Sequence, residues 1–340
     1  MNITTSDSSN SPVNVSVILS FYNDENYVKD CLQSLVMQDL SSFEIICLFD
    51  KGSTDRTYKE LKKFEYEPRI IICEIDHVDR STARNIGLSR SNGSIVVFCE
   101  TDALYRPDFL STIYKTISKG YDMVHPIGDG LNVANNLTSL LEAEIWARNR
   151  KMKEGTNTPQ SAWAFKRHIL EETGGFKQSV EIAEDRELWA RASKLGYTTA
   201  ITPHEVWSHR LTDSWIQFLK RSFRHGRGRQ AFIDTYGLSK RDKIRFFFTL
   251  FGTLFIPCLI WLLQRFFVSL IIGFTLAFVL FYFLMTIRAR YLFKNKLDLR
   301  VLVLYPLLML IRNLFFSYGL LISVVSLYLT RFWRTIRKIN

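Results

Sequence analysis

Acidic residues almost vanish from the last hundred positions of this 340-residue chain. From Asp242 to Asn340 there are 13 Lys and Arg against 2 Asp and Glu, whereas residues 1–241 hold 31 of each sign, so the net charge of +11 belongs entirely to the tail. Cysteine is also scarce. The five cysteines (Cys31, Cys47, Cys73, Cys99 and Cys258) lie in or beside apolar runs and show no C-x-x-C spacing. That pattern argues against a disulfide framework or a zinc site and points to buried, reduced thiols. The first twelve residues have no apolar core and are rich in Ser and Asn, so they read as a frayed tail and not as a signal peptide. The basic tail is extremely apolar, which excludes nucleic acid as the expected partner and favours a lipid surface.

Long apolar runs are what the tail does contain. They span 246–263, 266–287 and 301–330, and a helix of about 20 such residues crosses a bilayer. Basic residues dominate the linker Arg288 to Arg300 and the stretch Arg331 to Lys338, which predicts a cytoplasmic side for both. The expected organisation is therefore a disordered tail over 1–12, a catalytic domain over 13–241 and an all-α transmembrane region over 242–340. A multi-pass protein of the cell membrane with a cytoplasmic catalytic domain follows from that organisation.

The catalytic part reads as alternating strands and helices, an α/β class with a mainly parallel, Rossmann-like sheet. Strands are predicted over 13–20, 43–49, 70–75 and 95–99, and the run Ile95 to Cys99 is apolar without a break, as expected of a strand buried on both faces. The last run stops at Glu100-Thr101-Asp102, and Pro107 fits the opening of a helix carrying Leu110, Ile113 and Ile117. Alternation along an extended segment would place Glu100 and Asp102 on one side. Ligands of open α/β sheets bind at the carboxyl ends of strands, and two carboxylates there suit Mg²⁺ or Mn²⁺ that also touches a phosphate. An acidic turn capping a helix is the plainer alternative. Glu184-Asp185 opens another predicted helix, continued by Leu188, Trp189 and Ala192 and ended by Gly196. Acids at a helix start also favour the macrodipole.

Several linked motifs resemble glycosyltransferase family 2. They are Val15-Ser-Val-Ile-Leu-Ser-Phe-Tyr-Asn-Asp-Glu, Asp50-x-Gly-Ser-Thr-Asp, Ala83-Arg84-Asn85-x-Gly87 and Phe98-x-Glu100-x-Asp102. Downstream stand Gly174-Gly175-Phe176, Glu184-Asp185-x-Glu187-Leu188, Arg191, Gly196-Tyr197 and His209. The resemblance covers about residues 13–231. It implies a GT-A fold, a nucleotide-sugar donor, a divalent metal (Mg²⁺ or Mn²⁺) and usually inversion at the anomeric carbon. It further implies Asp185 as general base with Glu184 as its neighbour, Glu100, Asp102 and His209 at the metal, and donor contacts from Asp24, Asp50 and Arg84. For Arg84 a helix-surface ion pair is the equal alternative. Two residues depart from the family pattern: Lys51 stands where a second acid is common, and Glu100 where Asp is usual.

Lys220 to Arg229 is the densest basic stretch. Arg224, Arg227 and Arg229 suit a pyrophosphate clamp, because guanidinium forks pair with phosphate oxygens. A helix facing solvent or lipid headgroups is the alternative. The Q-x-x-R-W signature of processive synthases is absent, so addition of one sugar to a lipid-linked or membrane-located acceptor is expected. A polysaccharide synthase and a degenerate nucleotide-sugar-binding domain are the competing readings.

Overall fold

The computed structural model describes residues 13–131, 162–178, 180, 184–210 and 214–227, with short helical stretches at 243–244, 275–284 and within 311–322. The chain divides into two units. The first comprises residues 1–132 and 146–210, the second 133–145 and 211–340.

The first unit is built on an eight-stranded sheet. In chain order its elements are β1 (Val15–Phe21), α1 (Val28–Val36), β2 (Phe43–Asp50), α2 (Thr57–Lys62), β3 (Ile70–Ile75), α3 (Arg80–Ser89) and β4 (Ile95–Phe98). They continue with β5 (Ala103–Tyr105), α4 (Phe109–Ser118), β6 (Met123–Leu131), β7 (Trp163–Lys166), α5 (Arg167–Thr173), α6 (Glu184–Lys194) and β8 (Thr199–Arg210). The spatial order is β3-β2-β1-β4-β7-β6-β8-β5. β3, β2, β1 and β4 pair in parallel. Beyond β4 the directions mix: β4–β7, β7–β6 and β8–β5 are antiparallel, and β6–β8 is parallel. The mainly parallel sheet expected from sequence thus describes only its first half.

Apolar runs form this half because both faces are covered. On β1, Val15, Val17, Leu19 and Phe21 meet Leu32 and Leu35 of α1 and Phe109, Leu110 and Ile113 of α4 in one cluster. Ile18 of β1, with Ile46 and Leu48 of β2 and Phe98 of β4, meets Ala83, Ile169, Leu188 and Trp189 in a cluster on the opposite face. Each such buried side chain contributes about 1.5–3 kcal/mol, and the buried polar pair Ser16 and Glu44 on these strands is hydrogen-bonded, Ser16 Oγ donating to Glu44 Oε1 at 2.6 Å. Helix α3 lies so close that a Cβ on Gly87 would stand 2.4 Å from Ile18 Cγ2. The chain turns outward from β1 in two directions, to β2 on one side and β4 on the other. Between such diverging strands the carboxyl ends leave a crevice.

The second unit contains α7 (Trp215–Arg227). The membrane localisation expected from the tail is corrected here: among the described residues no helix is long and apolar enough to cross a membrane. Of the three apolar blocks, 246–263 lies outside the described residues, and 266–287 is described as helix only over 275–284. Block 301–330 is described only at scattered positions, and the tail 1–12 lies outside the described residues.

Candidate active site

Acids gather at the crevice between β1 and β4. Asp24 follows β1, and its backbone N–H donates to Thr57 Oγ1 at 2.7 Å while its Oδ2 accepts from Tyr22 N at 3.0 Å. Burial, with Asp102 and Glu100 nearby, raises its carboxyl to about 6 against the lowering effect of hydrogen bonds from Tyr22 N and the Thr101 side chain. Asp50 ends β2 and is 5 % exposed. Both its oxygens are engaged: Oδ1 accepts from Gly52 N at 2.7 Å, and Oδ2 lies 2.9 Å from His77 Nδ1. Lys51 turns away to Asp76 at 2.5 Å, an exposed pair.

Glu100 and Asp102 do not share a strand, because β4 stops at Phe98 and the two acids lie in the turn to β5. Tyr105 shapes that turn. Its hydroxyl accepts from Glu100 N at 3.0 Å and donates to Glu100 O at 2.7 Å. β5 then pairs with β8 so that Ala103 faces His209, and Arg210 N donates to Asp102 O at 2.9 Å. This register brings His209 Nε2 to 3.4 Å from Asp102 Oδ2. The sequence offers little warning of it, since a three-residue strand is too short to show periodicity.

Arg84 is not on the surface. It is 4 % exposed, with Nη2 donating to Glu100 Oε1 at 2.8 Å and Nη1 donating to Glu184 Oε1. Its guanidinium lies 4.8 Å from the Trp163 ring and 5.4 Å from the Phe176 ring, an arrangement that suits a planar cation. Phe176 is held in turn by Asn85, which donates to Phe176 O and accepts from Phe176 N, both at 2.8 Å. Gly175 precedes it at φ +68°, and a Cβ there would stand 2.6 Å from Asn85 Oδ1. Buried Glu187 fixes Arg191, whose Nη2 donates to Gly175 O at 2.8 Å. The Ala-Arg-Asn, Gly-Gly-Phe and Glu-Asp-x-Glu segments therefore form one connected framework.

Glu184 and Asp185 open α6. Glu184 is 4 % exposed and gives its Oε1 to Arg84. Asp185 is raised to about 6, first by burial and then by the charge of Glu184, while Arg186 and Arg84 pull it down. A carboxylate poised there can take a proton near neutral pH.

The groups at this turn that could hold a divalent cation are Asp102 and His209; the described residues contain no group of three or more His, Cys, Asp or Glu that could hold a metal ion. One carboxylate and an imidazole, completed by substrate phosphates, suit the sparse protein coordination of Mg²⁺ and the mixed preferences of Mn²⁺. Glu100 has one oxygen committed to Arg84. Arg224 and Arg227 lie on α7, in the second unit, and Arg229 lies outside the described residues. Sequence reasoning missed His77, Trp163 and Arg80. Of these only Arg80 left a trace, four residues before Arg84 and so on the same helical face.

Residues 16–174 match the family described as Glycosyl transferase family 2. The chain carries a glycosyltransferase family 2 domain. Its curved, mixed sheet is that of the GT-A fold, and the domain is that of a transferase. The glycosyltransferase GlyA of Streptococcus pneumoniae serotype 4 is 38% identical over 104 residues, which cover 30% of this chain but only 15% of GlyA. A Methanococcus voltae enzyme is 25% identical over 237 residues, covering 64% of this chain and 74% of its own. It is named dolichyl N-acetyl-alpha-D-glucosaminyl phosphate 3-beta-D-2,3-diacetamido-2,3-dideoxy-beta-D-glucuronosyltransferase. Among solved structures, the mannosyltransferase PcManGT from Pyrobaculum calidifontis, in complex with GDP-Man and Mn²⁺, superimposes with a TM-score of 0.53 at 22% identity. That match covers 67% of this chain and 66% of the other, and it is a likeness of fold.

Proposed function

We propose that the glycosyltransferase domain moves one sugar from a nucleotide-sugar donor to a lipid-linked acceptor, with inversion at the anomeric carbon. Asp185 carries the reading: a carboxyl raised to about 6 stands at the start of α6, beside Glu184, whose partner Arg84 also holds Glu100. In the reaction Asp185 accepts the proton of the acceptor hydroxyl. The acceptor oxygen forms its bond to the anomeric carbon from the face opposite the leaving group. The bond to the donor phosphate breaks, and the diphosphate departs with the electron pair. Asp102 and His209 would hold Mg²⁺ or Mn²⁺, which supplies positive charge to the leaving diphosphate. Asp24 and Asp50, at the ends of β1 and β2, are assigned to the nucleoside side of the donor. Arg224, Arg227 and Arg229 remain assigned to the donor phosphates on the strength of guanidinium chemistry alone.

The lipid-linked acceptor is supported by the name of the Methanococcus voltae relative, and single addition by the missing Q-x-x-R-W sequence. The test is a panel of UDP- and GDP-sugars with polyprenyl-phosphate-linked sugars as acceptors, with and without Mn²⁺. Release of nucleoside diphosphate together with a product heavier by one sugar is expected. A polymeric product, or a product formed only on water-soluble glycans, would replace this reading.

A further inference from the structure

The site holds more negative charge than its described cations balance. Asp24, Glu100, Asp102, Glu184 and Asp185 all act on one another or on the same arginines. Arg84 is spent on two of them, Glu100 and Glu184, and is buried. A nucleotide-sugar adds its own diphosphate charge to this floor, and bringing like charges together costs free energy unless a cation meets them.

Arg80 is positioned to meet them. It begins α3, one turn before Arg84, and residues four apart share a helix face. Its side chain is 57% exposed, and its ion pair among the described residues is with Glu184 Oε1 at 3.9 Å. That distance lies beyond a hydrogen bond, and the same oxygen already accepts from Arg84. Arg80 thus stands beside Glu184 at the start of α3 with its guanidinium largely open to solvent, and the charges of Glu100, Asp185 and Asp102 act on it as well. A guanidinium carries five N–H donors in a planar fork that matches phosphate.

We infer that Arg80 binds a phosphate oxygen of the donor's diphosphate. The assignment rests on the nucleotide-sugar reading above. Arg84 organises the acids from within, and Arg80 receives the anion from the open side. Arg80 therefore contributes to affinity for the diphosphate and not for the base or ribose.

The experiment is calorimetric titration of the full-length chain, wild type and the variants Arg80→Gln and Arg80→Lys. Ligands are UDP, GDP, dTDP, the matching nucleosides and inorganic pyrophosphate, each in EDTA and in Mn²⁺. Hydrogen bonds to charged groups correspond to about ten- to a hundredfold in affinity. Arg80→Gln is expected to weaken the preferred diphosphate by that factor and to leave its nucleoside unchanged. Arg80→Lys keeps the charge but loses the fork, so it should fall between. Equal diphosphate affinity in Arg80→Gln and wild type would overturn the inference, as would an equal loss for nucleoside and diphosphate. Wild-type affinity in Arg80→Lys with loss only in Arg80→Gln would overturn the bonded contact in favour of charge balance alone. A wild-type chain that binds none of the diphosphates would bring down the donor reading itself, and this assignment with it.

Discussion

The turn after β4 and the start of α6 each present one Glu and one Asp, and the structure divides both pairs the same way. Glu100 and Glu184 are the two carboxylates bound by Arg84. Asp102 instead lies beside His209, and Asp185 is left with a carboxyl raised by burial and by Glu184. A single buried arginine thus sorts four acids into two that it binds and two that it does not. Acid pairs that look equivalent in sequence have unequal surroundings, and the difference is set by a residue outside either pair.

Removing the sorting residue should have the largest effect. Arg84→Met leaves buried Glu184 without its hydrogen-bonded cation, with only Arg80 at 3.9 Å, and takes the Arg84 bond from Glu100. Breaking a buried ion pair from one side costs about 3–5 kcal/mol. Urea unfolding should show a loss of that size; a loss near that of a surface pair would mean that the two glutamates do not depend on Arg84.

Next comes the division within the first pair. A ligand at a hundred times its dissociation constant stabilises a fold by about 2.7 kcal/mol. Asp102→Asn should lose the Mn²⁺-dependent part of the stabilisation given by nucleoside diphosphate in thermal unfolding, whereas Glu100→Gln should keep most of it. Equal losses in the two variants would put Glu100 back among the metal-binding groups.

The pH dependence is the smallest effect per unit and sharpens the second pair. A base must be unprotonated to act, so kcat/KM should fall as pH drops below about 6, roughly tenfold per unit for each proton required. Asp24 and Asp185 are both raised to about 6, and if both must be ionised the limb is steeper than one proton. Stability moves the other way. In the folded chain these groups retain protons that the unfolded chain has released by pH about 6, so stability declines as pH rises from about 4 to 6. A kcat/KM profile flat down to pH 5 would contradict the assignment of Asp185.

Much of this was legible in the sequence where burial leaves no freedom. Ile95 to Phe98 must be a strand because all four side chains are buried. Helix α6 could be placed from its acids and from Gly196, which takes φ +92° beyond its end. The alternation argument for Glu100 and Asp102 failed because it assumed an extended chain where Tyr105 folds a turn. The antiparallel β7 and the pairing of β5 with β8 are contacts distant in sequence, which local pattern does not encode. Membrane spans read from apolar length alone are not matched by any described helix of spanning length. The resemblance supplied Arg84 as a residue of interest, but only the fold shows that it grips one acid from each pair.

In the proposed reaction Asp185, and not Glu184, takes the acceptor proton. Single-turnover transfer at saturating donor, with Asp185→Asn and Glu184→Gln followed across pH 5–8, tests it most directly. Asp185→Asn is nearly isosteric and should keep donor affinity while slowing transfer by about 10²–10⁴-fold. The acid limb of the pH profile should lose one proton in that variant. Glu184→Gln should retain the limb and lose stability more than rate. Transfer by Asp185→Asn at the wild-type rate, with the limb unchanged, would leave Asp185 as no more than an acid at a helix start.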